Sequence, residues 1–217
     1  IKVGGVMKKI CILIIVVLLS VFSVSASASW VGVQGLLWNS DSTITTSYGG
    51  SSSTASGKAK GVGIILAGAF YPSTDSSLGL GYQLGATSTN KVTVGGVTTS
   101  PDDPLTWRGG LTGQYRADLS PLLGIEIGAG LLFEHLKDSE VISGTTVTTM
   151  KANTFNLLTS ANLLVSVTES FSLVGGVSFV LPISASYKMT GEGISVEPDV
   201  DIEGHAFQAQ LGVAFAL

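Results

Sequence analysis

The chain has 217 residues, of which 12% are charged and 45% are hydrophobic, and its mean hydropathy is +0.49. A soluble domain uses about 25% charged residues to cover its surface, so this composition argues against a surface that faces only water. The formal net charge of −4 argues against a nucleic-acid partner, because such binding depends on Lys and Arg neutralising phosphates.

The N-terminal segment has the three-part pattern of a secretory signal peptide. Two lysines that follow Met7 precede an apolar run, Ile10 to Phe22, and small residues then lead to Ala28. The apolar run has 13 residues, which is too short for a spanning helix of about 20 residues. We therefore expect cleavage after Ala28 and suspect Met7 as the true start; an uncleaved anchor is the alternative.

Cleavage would divide the chain into residues 1–28, with the signal peptide, and one domain, residues 29–217. That domain would hold 8 basic and 15 acidic residues, for a net charge of −7. Cys11 lies in the removed segment, so disulfides and thiolate metal sites are excluded from the domain. We expect no cofactor.

After the signal segment, apolar and polar side chains alternate with a period of two, which predicts β-strands. The eight predicted strands are Trp30–Thr43, Lys58–Tyr71, Leu78–Asn90, Leu105–Asp118, Leu122–Leu136, Thr149–Val167, Phe171–Tyr187 and Ile202–Leu217. Short connections (72–77, 119–121, 168–170) alternate with long ones (44–57, 91–104, 137–148, 188–201). This pattern is typical of an all-β, eight-stranded antiparallel up-and-down transmembrane barrel whose termini are both periplasmic. Ser47–Gly57 is interpreted as a mobile surface loop.

Four predicted strands carry two aromatic residues eight positions apart. The pairs are Trp30 and Trp38, Trp107 and Tyr115, Phe171 and Phe179, and Phe207 and Phe215. An even spacing keeps both rings on one face, and eight steps along a tilted strand climb roughly 20 Å, close to the height of a membrane's apolar band. Aromatic rings prefer the two edges of that band, so we predict two lipid-facing girdles. The alternative is a soluble sheet in which the spacing arises by chance.

The two faces of the predicted strands differ in composition. On the fourth strand, Trp107, Leu111 and Tyr115 share one face, while Arg108 and Arg116 share the other. The polar faces are mostly small or uncharged, which suits the narrow interior of an eight-stranded barrel. A soluble lipocalin-like barrel would have apolar residues inside and many charges outside, and the scarcity of charge argues against it.

Four charged residues fall on the polar faces of the fourth and fifth strands. A single antiparallel register opposes Arg108 to Glu134 and Arg116 to Glu126, because the residue numbers of both pairs have the same sum. Charges in a narrow barrel must be paired, so we predict two lumenal ion pairs or one network. Further lumenal polar residues are predicted at Gln83, Gln114, Asn156, Asn162, Gln208 and Gln210. The pairs are interpreted as a plug that fills the interior rather than as a gate or selectivity element.

No catalytic or metal-binding residue is predicted. His135 and His205 fall near the outer ends of the fifth and eighth strands, and Ser139 and Glu140 follow His135, but a catalytic triad is defined by geometry rather than by sequence proximity. The acidic residues between Glu192 and Glu203 lack the glycine-punctuated spacing of a calcium loop. We interpret them as a solvated loop.

The C-terminal strand ends in Phe207-x-x-x-Leu211-x-Val213-x-Phe215-x-Leu217. Together with the signal segment and the eight alternating strands, it resembles the small bacterial outer-membrane β-barrel families typified by OmpX, OmpW and the membrane domain of OmpA. The resemblance covers Trp30 to Leu217. It implies a location in the outer membrane, contact with outer-membrane lipids and insertion by the barrel-assembly machinery.

The resemblance also implies the possible functions. The first is a structural or surface-interaction role, in which the long loops contact an extracellular ligand, as the likeness to OmpX implies. The second is a narrow channel for small or hydrophobic solutes, as the likeness to OmpW implies, although four lumenal charges favour a closed polar interior. The third is a lipid-modifying enzyme of the outer leaflet with His135 as its base. We expect the first.

Overall fold

The computed structural model describes residues 29–73, 75–100, 105–143, 146–191 and 194–217. The predicted signal segment, residues 1–28, lies outside the described residues. The described residues form ten β-strands in one sheet. Their bounds are β1 Trp30–Tyr48, β2 Ser51–Phe70, β3 Leu78–Val94, β4 Val97–Thr99, β5 Leu105–Ser120, β6 Leu123–Ser143, β7 Thr146–Ser166, β8 Phe171–Gly191, β9 Ile194–Val196 and β10 Asp199–Ala216.

Eight of these strands close into a ring. Each long strand pairs antiparallel with its neighbours in chain order, and β10 pairs with both β1 and β8, which closes the barrel. The short strands β4 and β9 extend the edges of β3 and β8. The predicted eight-stranded antiparallel barrel is therefore confirmed. Nowhere in the described residues is there a helix long and apolar enough to cross a membrane.

The strands are longer than predicted at the end of the barrel where the long connections lie. The predicted loop 44–57 is a continuation of β1 and β2, joined by a two-residue turn at Gly49 and Gly50, whose φ angles of 58° and 82° lie in the left-handed region. Such angles suit a tight hairpin turn and favour glycine. Hydroxyl groups hydrogen-bond across the two strands, with 2.8 Å between Thr43 and Ser56. The loop prediction was wrong here because Ser and Thr lack the apolar alternation that identifies a strand.

The other long connections are also largely strand. β6 continues to Ser143 and β7 begins at Thr146, while β8 continues to Gly191. β3 turns at Gly95 and Gly96 into β4. We call this end of the barrel the hairpin end. The opposite end, with connections 71–77, 121–122 and 167–170, is the short-turn end.

Side chains alternate between the lumen and the outer surface. Leu211 is 72% exposed on the outside, whereas Leu36 faces the interior and is 2% exposed. Leu111 and Ile127 also point outward, as the predicted membrane-facing band requires. Ile65, Leu132 and Val174 fill the interior, so the core of the molecule is the lumen itself.

Candidate functional site in the barrel lumen

The lumen holds the polar side chains that the sequence assigns to it. Gln83, Gln114, Asn156, Asn162 and Gln208 are buried, and the half-buried Gln210 donates a hydrogen bond of 2.8 Å to Asn162 Oδ1. Pairing of β5 with β6 opposes Arg108 to Glu134 and Arg116 to Glu126. Both arginines and both glutamates are thus brought into the interior, in two separate clusters at opposite ends of the barrel.

At the short-turn end, Glu126 is completely buried and accepts two hydrogen bonds on one oxygen. Trp30 Nε1 and Tyr71 Oη each donate to Glu126 Oε1 at 2.9 Å. Arg116 Nη1 lies 4.0 Å from the same oxygen. We call Trp30, Tyr71, Arg116 and Glu126 the Glu126 cluster. The short hydrogen bonds of the carboxylate are made by neutral donors, and its ion pair is long.

The Glu126 cluster is assembled from distant parts of the chain. Trp30 opens β1, Tyr71 directly follows β2, and the hairpin of β5 and β6 supplies Arg116 and Glu126. The backbone amide of Tyr71 donates to Ser29 Oγ at 3.1 Å, which holds the end of β2 beside the start of β1. The guanidinium of Arg116 lies 5.9 Å from the centre of the Tyr71 ring, within the range of a cation–π contact. Arg116 also pairs with Asp118 at 2.8 Å.

At the hairpin end, the buried charge at the centre of the cluster is Arg108, as Glu126 is at the short-turn end. Arg108 Nη2 donates to Gln208 Oε1 at 3.0 Å, and Arg108 Nη1 lies 3.9 Å from Glu134 Oε1. Asn156 Nδ2 donates to the other oxygen of Glu134 at 3.2 Å. We call Arg108, Glu134, Asn156 and Gln208 the Arg108 cluster. Its carboxylate is 23% exposed, so this cluster borders water.

A small cavity lies between the two clusters. Its volume is about 30 Å³, and its polar lining includes Gln34, Gln83, Gln114, Asn162 and Gln210. One water molecule needs about 10–15 Å³ by this measure, so the cavity has room for about two or three. Both amide atoms of Gln34 are buried and have no hydrogen-bond partner among the described protein atoms. Amide groups in such a position suit hydrogen bonds to water.

Trp30 and Trp38 correct the prediction of the aromatic girdles. Both lie on the lumenal face of β1: Trp30 is 5% exposed and hydrogen-bonds Glu126, and Trp38 Nε1 is buried. The prediction was wrong for these two residues because an even spacing places two rings on one face without saying which face it is. Gln34 shares that face, and an amide facing lipid would be left unpaired. That signal could have identified the lumenal side of β1.

The other predicted girdle residues point outward. They are Trp107, Tyr115, Phe171, Phe179, Phe207 and Phe215. Phe171 and Phe215 are opposed across β8 and β10 with ring centres 5.6 Å apart, and Phe179 is the cross-strand partner of Phe207 on the same two strands. These pairs lie on two levels of the outer surface, eight residues apart on each strand.

Neither histidine forms a catalytic arrangement with other side chains among the described residues. His135 Nδ1 lies 2.8 Å from Asn153 Oδ1, and His205 stacks on Phe179 with ring centres 5.4 Å apart. The side chains of Ser139 and Glu140 lie outside the described residues. Among the side chains that are described, no hydroxyl group hydrogen-bonds either histidine.

The acidic segment before the last strand is partly described. Glu192 lies outside the described residues, and Glu197 pairs with Lys188 at 2.8 Å. That hydrogen bond and the positive charge of Lys188 lower the pKa of Glu197 below its usual value. Within the described ranges, no three His, Cys, Asp or Glu side chains are grouped so that they could hold a metal ion.

Comparison with known proteins rests on the fold. No protein-family model matches the chain, and no curated protein matches its sequence. The outer membrane protein OprG from Pseudomonas aeruginosa is similar in structure, with a TM-score of 0.65 at 12% identity over 87% of this chain and 95% of that one. The outer membrane protein AlkL, studied in lipid bilayers, has a TM-score of 0.55 at 15% identity over 87% and 90% of the two chains. A major outer membrane protein from Thermus thermophilus has a TM-score of 0.51 at 13% identity over 83% and 99%. The chain therefore has the fold of the small bacterial outer-membrane β-barrels.

Proposed function

We propose that this protein is an outer-membrane barrel that does not conduct solutes and that presents its hairpins at the bacterial surface. The observation that carries the proposal is the two clusters of buried, hydrogen-bonded charges that project into the lumen. The Glu126 cluster crosses one end, the Arg108 cluster crosses the other, and the polar cavity lined by Gln34, Gln83 and Gln114 has a volume of about 30 Å³. A solute would have to displace buried hydrogen-bonded charges at both ends, which is costly.

The hairpin end supports the surface role. From Leu37 to Tyr48, β1 continues for eleven residues beyond its outward apolar positions, which corresponds to roughly 25 Å along a tilted strand. Its hairpin with β2 exposes mostly Ser, Thr and Gly residues. Such a polar β-surface suits contact with an extracellular ligand through hydrogen bonds. In this proposal, the short-turn end and both termini are periplasmic. Outer-membrane lipids surround the outward apolar band, and the barrel-assembly machinery inserts the chain.

Conductance in planar lipid bilayers tests the closed lumen. We expect the refolded protein to give no steady current steps, while a general porin reconstituted in the same way gives open channels. Steady pores would overturn the proposal and favour a narrow channel for small or hydrophobic solutes. Release of fatty acid from outer-leaflet lipid, lost in His135→Ala, would instead favour a lipid-modifying enzyme.

Cysteine labelling on intact cells tests the orientation. Ser52→Cys lies beside the turn of the first hairpin, and Glu169→Cys lies in a short turn; both side chains are exposed. We expect a maleimide that cannot cross the outer membrane to label Ser52→Cys on intact cells. Glu169→Cys is the matched control and should react only after the outer membrane is permeabilised. The reverse pattern would contradict the proposed orientation.

A further inference from the structure

A lysine follows the apolar band directly on the outer surface of β2, and Lys91 of β3 lies opposite it. On β2, the outward positions run from the exposed Leu66, Ile64 and Val62 to Lys60 and then Lys58. On this strand, the outward side chains therefore change from apolar at Val62 to positively charged at Lys60, the next outward position toward the hairpin end. A membrane's headgroups lie at that margin.

Two of these lysines face each other without a counter-ion. Lys60 is opposed to Lys91 across β2 and β3, next to a bulge at Asn90, and to the exposed Asn39 on β1. We call Lys60 and Lys91 the lysine pair. Neither makes an ion pair with the described residues. By contrast, Lys58 pairs with Asp41 at 3.2 Å.

Like charges directly opposite each other on a sheet are destabilising. An anion seated between the two ammonium groups would replace this repulsion with charge-assisted hydrogen bonds. The amide of Asn39 adds a neutral donor on the third strand. Together, the three side chains provide hydrogen-bond donors on three neighbouring strands for a tetrahedral anion.

We propose that Lys60, Lys91 and Asn39 bind the phosphate group of an anionic lipid in the leaflet on the hairpin side. The acyl chains of that lipid would lie against Val62 and Ile64, which continue the same surface into the apolar band. This continuity favours a lipid over a free anion. The inference rests on the membrane location in the proposed function but not on the closed lumen.

Titration with a single defined lipid tests this site. The protein is refolded in uncharged detergent micelles and titrated with phosphatidic acid, and binding is measured by native mass spectrometry; diacylglycerol with the same chains serves as the uncharged probe. A lysine near an anionic lipid surface contributes roughly fivefold to affinity, so Lys60→Gln with Lys91→Gln should weaken binding by about 30-fold. Lys58→Gln is the matched control, since Asp41 already neutralises its charge, and should change affinity by less than about threefold.

The site would be overturned if the double variant and the wild type bound phosphatidic acid with equal affinity, or if diacylglycerol bound as well as phosphatidic acid. Displacement of the lipid by millimolar inorganic phosphate would also overturn it, because that result would assign the site to a free anion. Backbone amide NMR shifts of Lys60 and Lys91 in the wild-type protein report the same binding without any substitution. Absence of shifts there at saturating phosphatidic acid would also overturn it. Current steps in planar bilayers would contradict the closed lumen and leave these readouts unaffected, so the two failures are distinguishable.

Discussion

The two ends of the lumen bury opposite charges in different ways. At the short-turn end, Glu126 receives two 2.9 Å hydrogen bonds from aromatic side chains and is fully buried. At the hairpin end, Arg108 makes one 3.0 Å hydrogen bond to Gln208, and Glu134, its partner in the long ion pair, remains partly exposed. The charge at the short-turn end is hydrogen-bonded by two buried aromatic side chains, whereas the charge at the hairpin end is bonded by polar groups that border water.

This difference shows that the register of one hairpin does not decide which groups hydrogen-bond its buried charges. Both Arg–Glu pairs belong to β5 and β6, and their nitrogen–oxygen separations are nearly equal, at 3.9 Å and 4.0 Å. What differs is the set of neutral groups that other strands bring to them. A buried charge is stabilised mainly by its hydrogen bonds when its counter-ion is distant.

Opening both ends together should produce the largest change. Tyr71→Ala removes a ring from the Glu126 cluster, and Arg108→Ala removes the guanidinium from the Arg108 cluster. We expect neither single variant to conduct in planar bilayers, because the other cluster still crosses the lumen, and we expect the double variant to show current steps. Heat-dependent migration on gels checks that each barrel has folded. A conducting single variant would mean that only one end blocks the lumen.

Removing the two central charges should destabilise the barrel unequally. Glu126→Ala leaves the Trp30 and Tyr71 donors unpaired where water is excluded, and each such donor costs roughly 1–3 kcal/mol, so we expect a loss of about 3 kcal/mol. Arg108→Ala leaves the Gln208 acceptor unpaired and removes the distant counter-ion of Glu134, which is partly exposed and keeps its hydrogen bond from Asn156, so we expect roughly half that loss. The free energy of unfolding in urea, measured in lipid vesicles, decides the order. Equal losses would show that the two ends are energetically alike.

Glycine substitutions extend the comparison from the lumen to the outer wall. A methyl group on lumen-facing Gly61 would overlap the Ser88 carbonyl oxygen and lie 2.7 Å from Trp38 Nε1, so Gly61→Ala should cost about 1–3 kcal/mol of unfolding free energy. The same group on outward-facing Gly35 meets nothing nearer than the Leu211 carbonyl oxygen at 3.7 Å. Gly35→Ala should therefore change that free energy by less than about 0.5 kcal/mol. A larger loss at Gly35 would contradict the assignment of the two faces.

The exposed pair of Lys188 and Glu197 provides a reference outside the band. Its hydrogen bond lowers the pKa of Glu197, so its stabilising contribution is present above the pKa of the unfolded chain and is lost as the pH falls through the lower, folded value. An NMR titration of the Glu197 carboxyl carbon should return to the usual range in Lys188→Gln. Because both side chains are solvated, we expect no measurable change in barrel unfolding. A clear change would show that exposed and buried pairs contribute alike.

Much of the architecture was predictable from local pattern. Alternation along the chain indicated the eight barrel strands, because a period of two is a property of each strand alone. The register of β5 and β6 was also readable, since a short turn and two Arg–Glu spacings leave one pairing. The extended hairpins were missed because Ser and Thr side chains show no apolar period, and it is their cross-strand hydrogen bonds that mark the strands.

The sequence by itself determined that each strand has an apolar and a polar face, but for β1 only the tertiary structure decided which face turns inward. Trp30 and Trp38 match either a lipid girdle or a lumenal wall by spacing alone. Closure of the ring through β10 brings Trp30 to Glu126, 96 residues away, and Tyr71 to the same carboxylate from 55 residues away. Such contacts depend on how all eight strands curve around one another, which no local pattern contains. For this reason the composition of the lumen was predictable, whereas the hydrogen bonds that hold its charges were not.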